Sequence, residues 1–305
     1  MNRRHFVEVL GAGLVGGLGG LPRSLPQPAH DQFVERWSWA MGQPVHVMVV
    51  AASEAIGLAA CAAALAELRR VETKLSRFDD ASDLSELNRH AGGRAQPVDE
   101  DLRAVVKLAQ GFREATHGAF DIAVEPLMRA WGFHRPRRTE PSAAEIAEAR
   151  EAVATAVIRL EGERAHLPNA HTQLDLGGIG VGYGIDRAMA VLRSHGVRSA
   201  FLDVSGDCAA IGAPPGESGW LVEIADPHRP GRVLAATRLR DAALATSANT
   251  HSGHVMNPAS GWPADALRQT TVVASSCATA DALSTAMLVS GRRPPHVREV
   301  YPVGA

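Results

Sequence analysis

Five glycines within eight residues, at 177, 178, 180, 182 and 184, constrain this chain more than any other stretch. They lie in LDLGGIGVGYGIDRAMAVLRSHGVRSAFLDVSGDCAAIG, from Leu174 to Gly212. An apolar run from Leu174 reads as a strand entering the glycines. A helix follows, with Ile185, Met189 and Leu192 at i, i+4 and i+7 and Gly196 as its C′ residue. A second strand, Ala200 to Val204, ends in Ser205-Gly206-Asp207. Backbone without Cβ atoms can approach an anion closely, and a helix start offers free N–H groups to a phosphate. The dinucleotide fingerprint GxGxxG fits no frame, because residues 183, 185 and 187 are Tyr, Ile and Arg. A plain dinucleotide-binding fold is therefore a poor match.

The N-terminus, MNRRHFVEVLGAGLVGGLGGLP, joins a basic start to a mildly apolar run from Val7 to Leu21. The run is short and glycine-rich for a membrane span. Arg3-Arg4 before Phe6 reads as a Tat-type signal or uncleaved anchor over residues 1–30, placing the remainder outside the cytoplasmic membrane. The alternative is a disordered terminus with a chance arginine pair. Residues 31–305 are long enough for one sizeable domain or two intimate subdomains. Net charge is −2 with mixed signs, and aromatics are 5% of residues, so nothing points to nucleic-acid binding. Cys61, Cys208 and Cys277 form no CxxC pair; an oxidising compartment leaves one disulfide open, and small buried thiols are the expected state.

Helical and strand patterns interrupt each other irregularly, which argues for an α+β fold. Val45–Val50 reads as a strand and Glu54–Leu75 as a long helix. Asp99 is an N-cap candidate for a helix burying Leu102, Val105, Val106, Ala109 and Phe112. Ser142 and Glu145 match a capping box. Short strands follow residue 212, including Trp220–Ala225 and Thr270–Ala274, and a last helix is expected over Ala280–Ser290, stopped by Gly291.

Three places carry polar groups that a fold does not need. Asp281 and Thr285 share one helix face, and a carboxylate with a hydroxyl suits a hard cation such as Mg²⁺. Placed in a first turn, Asp281 could equally be there for the helix dipole, and Thr285 could bond the preceding turn. THGAFD, residues 116–121, could hold a planar ring or simply stop a helix over a core Phe. His254, in HVMNPASG, is a candidate general base or hydrogen-bond donor to a phosphate, or an exposed turn histidine.

Taken in order, the motifs resemble the ApbE-like FAD:protein FMN transferase family. They are Met41-Gly42, LSRFDDASDLSELNRHAGG (75–93), THGAFDIAVEPLMRAWGF (116–133), DLGGIGVGYGIDRA (175–188), ATS (245–247), HVMNPASGWPA (254–264) and TVVASSCATADALSTAMLVSG (271–291). The resemblance implies the ApbE-like α+β fold, with mixed, largely antiparallel sheets and packed helices. It also implies Mg²⁺-dependent transfer of FMN from FAD to a Thr or Ser of a partner flavoprotein, with release of AMP. The acceptor would be a membrane-associated redox subunit. Carried over by position, Asp281, Thr285 and the Gly178 carbonyl would hold the metal. Met41, Phe78, Ala119, Phe120, Asp121, Asp175, Val181, His254 and Val255 would line FAD, and His254 and Asp281 would serve catalysis.

The chain departs from the family pattern at Val181, where a Lys or another polar residue is common. It departs again at Asn257, where HxxDP has become His254-Val255-Met256-Asn257-Pro258, and in a short segment between Ser247 and His254. These differences leave two other readings open: a non-catalytic FAD-binding protein, and an FAD pyrophosphatase yielding FMN and AMP.

Overall fold

The helix Glu54–Leu75 (α1) appears with the bounds its pattern gives, opened by Ser53, whose hydroxyl accepts the Ile56 N–H. It packs on a seven-stranded sheet in a computed structural model that describes residues 31–133, 137–229, 231–249, 254–294 and 297–304. The strands are β1 (Gln32–Ala40), β2 (Gln43–Ala51), β6 (Ser199–Val204), β7 (Asp207–Ile211), β10 (Ala242–Ala248), β11 (Leu267–Ala274) and β12 (Glu299–Gly304), in that spatial order. Every neighbouring pair is antiparallel. A small sheet of β3 (Gln96–Pro97), β5 (Arg164–His166) and β4 (Arg159–Glu161) stands apart, as does the hairpin β8 (Trp220–Ala225) with β9 (Val233–Leu239). The remaining helices are α2 (Asp83–Arg89), α3 (Glu100–Ala115), α4 (Glu125–Ala130), α5 (Ala143–Ala154), α6 (Gly180–Ser194) and α7 (Cys277–Ser290). Mixed helix and antiparallel sheet is the α+β arrangement expected from the sequence.

The middle of the large sheet is covered on both faces, which is why β6 and β7 place apolar residues on both sides over most of their length. β6 shows the division: Ala200, Leu202 and Val204 join Leu65, Leu68, Ile185 and Met189 of α1 and α6, while Phe201 turns to Trp220 of the hairpin. Phe201 and Trp220 stack with centroids 5.7 Å apart. A third core gathers α3 with Phe120, Leu174, Leu176 and Ile179 and the inner side of α7. The Asp99 cap, the Ser142–Glu145 capping box and three buried free cysteines agree with the sequence reading.

Two local expectations change. Leu174–Leu176 belongs to no strand: Asp175 N–H donates to the Ile122 carbonyl at 2.8 Å, and the Asn88 amide serves the Leu174 backbone. Its Oδ1 accepts the Leu174 N–H at 2.8 Å and its Nδ2 donates to the Leu174 carbonyl at 2.9 Å. The last helix begins at Cys277, one turn before the expected start, with Ser276 accepting the Thr279 N–H. The expected export segment over residues 1–30, residues 134–136, and residues 250–253 of the short segment before His254 lie outside the described residues. Among the described residues, no helix is long and apolar enough to cross a membrane.

Candidate functional site

The longer start of α7 matters for its chemistry. Asp281 stands in the second turn, with Cys277–Ala280 before it, so the dipole of a first turn does not explain its presence. The N-terminus of α7 is instead capped from outside: Asp186 of α6 accepts the N–H groups of Cys277 at 2.7 Å and Ala278 at 2.9 Å. Asp281 is 5% exposed, and its Oδ2 accepts the Gly182 N–H at 3.1 Å. That contact depends on glycine, since a Cβ on Gly182 would lie 2.5 Å from the Cys277 carbonyl oxygen. The glycines thus let the start of α6 press against the start of α7. Gly178 is similarly confined, because its Cβ would come 3.1 Å from Thr285 Oγ1 and 3.3 Å from Phe120 Cε2.

Asp281, Thr285 and Gly178 line a cavity of about 310 Å³ at the ends of β2, β6, β7 and β10. Ala119, Phe120, Asp121, Asp175, Val181, His254 and Val255 complete most of its wall. A second cavity of about 570 Å³ contains Met41 and Phe78 and shares Gln43, Met128, Asp175, Gly177 and Val181 with the first. All twelve site residues expected from the sequence therefore line one continuous cleft. Its combined size lies in the range of clefts that bury a small organic ligand, roughly 300–1,000 Å³.

The electrostatics of the first cavity are one-sided. Among the described residues, no lysine or arginine lines the 310 Å³ cavity, whereas four aspartates do. Two of them are matched from behind: Asp121 by Arg113 at 2.6 Å, and Asp175 by Arg77 at 3.3 Å. Asp207, which sequence reasoning did not single out as a site residue, accepts the Thr246 N–H at 3.0 Å. Burial drives its carboxyl up to about 7, with the Asp203 charge adding to the shift. Burial, then Asp207, raises Asp281 in the same direction. Thr285 Oγ1 and Ser284 Oγ both contact Ser247 Oγ, at 3.1 and 2.7 Å. The donors are oxygens throughout, the set preferred by a hard cation.

His254 sits on the rim, open on one side, and the protein packed on its other side lowers its pKa. The turn after it clarifies Asn257. Its Oδ1 accepts the N–H groups of Ala259 and Ser260 at 3.0 and 3.2 Å, so the amide shapes the turn, and Asn257 does not line the 310 Å³ cavity. Asp121 also has a structural duty, accepting the Ala123 N–H at 2.9 Å at the start of a 3-10 turn. Val181, by contrast, faces the cleft.

A glycine wall opposite buried carboxylates defines a class of site suited to a phosphate-bearing ligand and a hard cation. The chain belongs to the ApbE family, whose model it matches over residues 41–297. A protein of Treponema pallidum named FAD:protein FMN transferase is 30% identical over 259 residues, covering 73% of this chain and 69% of the relative. The fold is similar to the ApbE protein of Thermotoga maritima, with a TM-score of 0.76 and 30% identity over 85% of this chain and 87% of that one. It also resembles the apo form of the Pseudomonas stutzeri flavinyl transferase ApbE, with a TM-score of 0.76, 27% identity, and coverage of 85% and 84%.

Proposed function

We propose that this chain transfers the FMN half of FAD to a Thr or Ser hydroxyl of an acceptor flavoprotein, releasing AMP in a Mg²⁺-dependent reaction. The observation that carries the reading is the placement of Asp281, Thr285 and the Gly177–Gly178 turn around the floor of a cleft lined by Phe120 and Val181. Family membership and the names of the relatives support the same activity.

The residues fit Mg²⁺. Asp281 and Asp207 are carboxylates in a buried setting with no ion pair to a cation among the described residues, and each is driven toward its protonated form until positive charge is supplied. Asp281, Thr285 and the Gly178 carbonyl would hold the ion, which supplies Lewis-acid polarisation and charge neutralisation at a phosphoryl group.

The chain's own groups do the rest. The glycine turn admits the pyrophosphate close to backbone, and Phe120 and Val181 keep that end of the cleft apolar. The acceptor oxygen attacks the phosphorus of the FMN half, and the bond from that phosphorus to the bridging oxygen breaks as AMP leaves. The hydroxyl proton passes to His254, whose lowered pKa keeps it neutral at ordinary pH. Residues 1–30 carry the chain out by a Tat-type route, placing the site on the outer face of the cytoplasmic membrane, beside a membrane-associated acceptor.

The test combines the purified chain with FAD, Mg²⁺ and an acceptor flavoprotein domain bearing the hydroxyl. Covalent flavin fluorescence on the denatured acceptor together with AMP is the expected result. AMP without labelled acceptor would identify a pyrophosphatase, and FAD bound without AMP a carrier.

A further inference from the structure

Arg77 lies just beyond the end of α1, and its side chain is mostly buried. Its guanidinium joins the buried start of α4 to the head of the glycine turn. Nη2 donates to Glu125 Oε1 at 2.7 Å, at the start of α4 and four residues after Asp121. Nε lies 3.3 Å from Asp175 Oδ2, at the head of the glycine turn. Both carboxylates are more than nine-tenths buried. The other oxygen of Asp175 accepts the Gly177 N–H at 2.6 Å. Gly178 comes next and is packed against Thr285 and Phe120. The same guanidinium carbon sits 5.0 Å from the centre of the Phe78 ring.

We propose that Arg77 is a positioning residue for the FAD site. By joining Glu125 to Asp175 it fixes the tilt of the 175–178 turn, and through that turn the direction of the Gly178 carbonyl toward α7. It also braces Phe78 at the mouth of the cleft. The guanidinium hydrogen-bonds Glu125 at one end and sets its charge 3.3 Å from Asp175 at the other, a span that a lysine point charge cannot reproduce, so the geometry calls for arginine specifically. This inference rests on the flavin-transfer reading for its functional readout and on the turn itself for its structural one.

The variants are Arg77→Lys and Arg77→Gln in the full chain, with amide hydrogen exchange across residues 174–180 and FAD half-saturation at fixed Mg²⁺ as readouts. Faster exchange in the turn, unchanged exchange in residues 185–192, and an FAD half-saturation raised roughly tenfold for Lys and further for Gln are expected. The half-saturation for the acceptor should stay at the wild-type value. A purely structural role would lower the melting temperature and leave FAD half-saturation alone; that outcome, or unchanged exchange in the turn, overturns the proposal. Should Arg77→Gln fail to fold, Arg77→Lys decides by the same criteria. Should the wild-type chain prove unable to take up FAD, the flavin-transfer reading fails, and exchange in the turn alone decides whether Arg77 holds it.

Discussion

On one side of α6, Tyr183 and Arg187 reach toward α1 and α3; on the other, Gly182 and Asp186 meet the start of α7. The first side is a closed network. Asp101 receives the Tyr183 hydroxyl at 2.7 Å and Arg70 at 2.6 Å, and Glu67 binds Arg70 through both oxygens and Arg187 at 3.2 Å. Two guanidinium groups answer two carboxylates, and the hydrogen bond from Arg70 lowers the pKa of Glu67. The second side gathers Asp186, Asp207 and Asp281, for which no ion pair to a cation is found among the described residues, and all three are pushed upward by burial. Asp186 has its compensation in two helix N–H groups. Asp207 and Asp281 each have a single backbone donor. Charge on the first side is answered within the chain, whereas Asp207 and Asp281 stand beside the cleft with one backbone donor each among the described residues, the setting in which ligand sites are often found.

The largest test of this contrast is Asp281→Asn. Transfer should fall roughly 10³-fold, the scale of losing a principal electrostatic group at a transition state. The melting temperature of the metal-free protein should hold or rise, because a buried carboxylate is removed from another. A fall in stability matching that of a network variant would erase the distinction between the two sides.

His254 comes next. Burial lowers its pKa below the usual histidine value, so the neutral, proton-accepting form persists to lower pH. The kcat/KM profile should rise with pH, bend below about 6.5, and be flat above it. His254→Gln should cost roughly 10²-fold on the plateau and remove the acid limb. A limb that survives unchanged would assign the base to another group.

On the network side, Asp101→Asn keeps the shape and removes the charge. Asp101 is 3% exposed, but the Arg70 and Arg187 side chains are nearly half exposed, so solvent screening brings the loss below the buried-pair range, to about 2–3 kcal/mol by denaturant titration. Transfer per folded molecule should remain at wild-type level. A rate loss comparable to that of Asp281→Asn would show that the network is part of the site.

The two sides should also answer pH with opposite sign. Glu67 has a folded pKa below its unfolded value, so its stabilisation is present above about 4.5 and is lost as pH falls through the folded pKa. Asp207 is raised from 3.8 to about 7, so the folded metal-free protein holds a proton that the unfolded chain releases. Its contribution is present below about 4 and is lost as pH rises toward 7. In chelator, wild-type stability should decline over that interval, and Asp207→Asn should flatten the decline.

Local signals were legible where one segment decides its own structure, as in the bounds of α1, the Ser142–Glu145 box and the Asp99 cap. The pairing of Asp281 with Thr285 was visible as a helical spacing, but its meaning was not. The start of α7 is set by Ser276 and by Asp186 from another helix, and together they place Asp281 beyond the reach of a first-turn explanation. Asp207 is not legible as a site residue in the sequence because its site character comes from Thr246 and Asp281, which reach it only once β7, β10 and α7 are assembled. The apolar run at Leu174 carried a strand pattern, yet a side-chain amide from α2 serves its backbone, a substitution no periodicity can announce. Asn257 shows the reverse: a change in a motif that suggests a lost charge in the pocket proves to shape a turn.

Val181 provides the finest test, since it would move the second side toward the first. It lines both cavities, partly buried between the glycine turn and the core beneath α1 and α6. Val181→Lys places an ammonium on the first turn of α6, with four aspartates lining the same cavity and a stem long enough to reach into it. A charged hydrogen bond to a phosphate oxygen of FAD is worth about 1.5–3 kcal/mol, reduced by the cost of a cation at a helix N-terminus, which leaves roughly a tenfold gain in FAD affinity. The same ammonium partly answers Asp281, so the dependence of transfer on Mg²⁺ should shift to higher concentration while FAD half-saturation falls. Tighter FAD with an unchanged Mg²⁺ requirement would place the lysine on the ligand alone. An unchanged FAD affinity would mean that the missing cation is already supplied from elsewhere in the cleft, and that Val181 is a packing residue with no cost to the site.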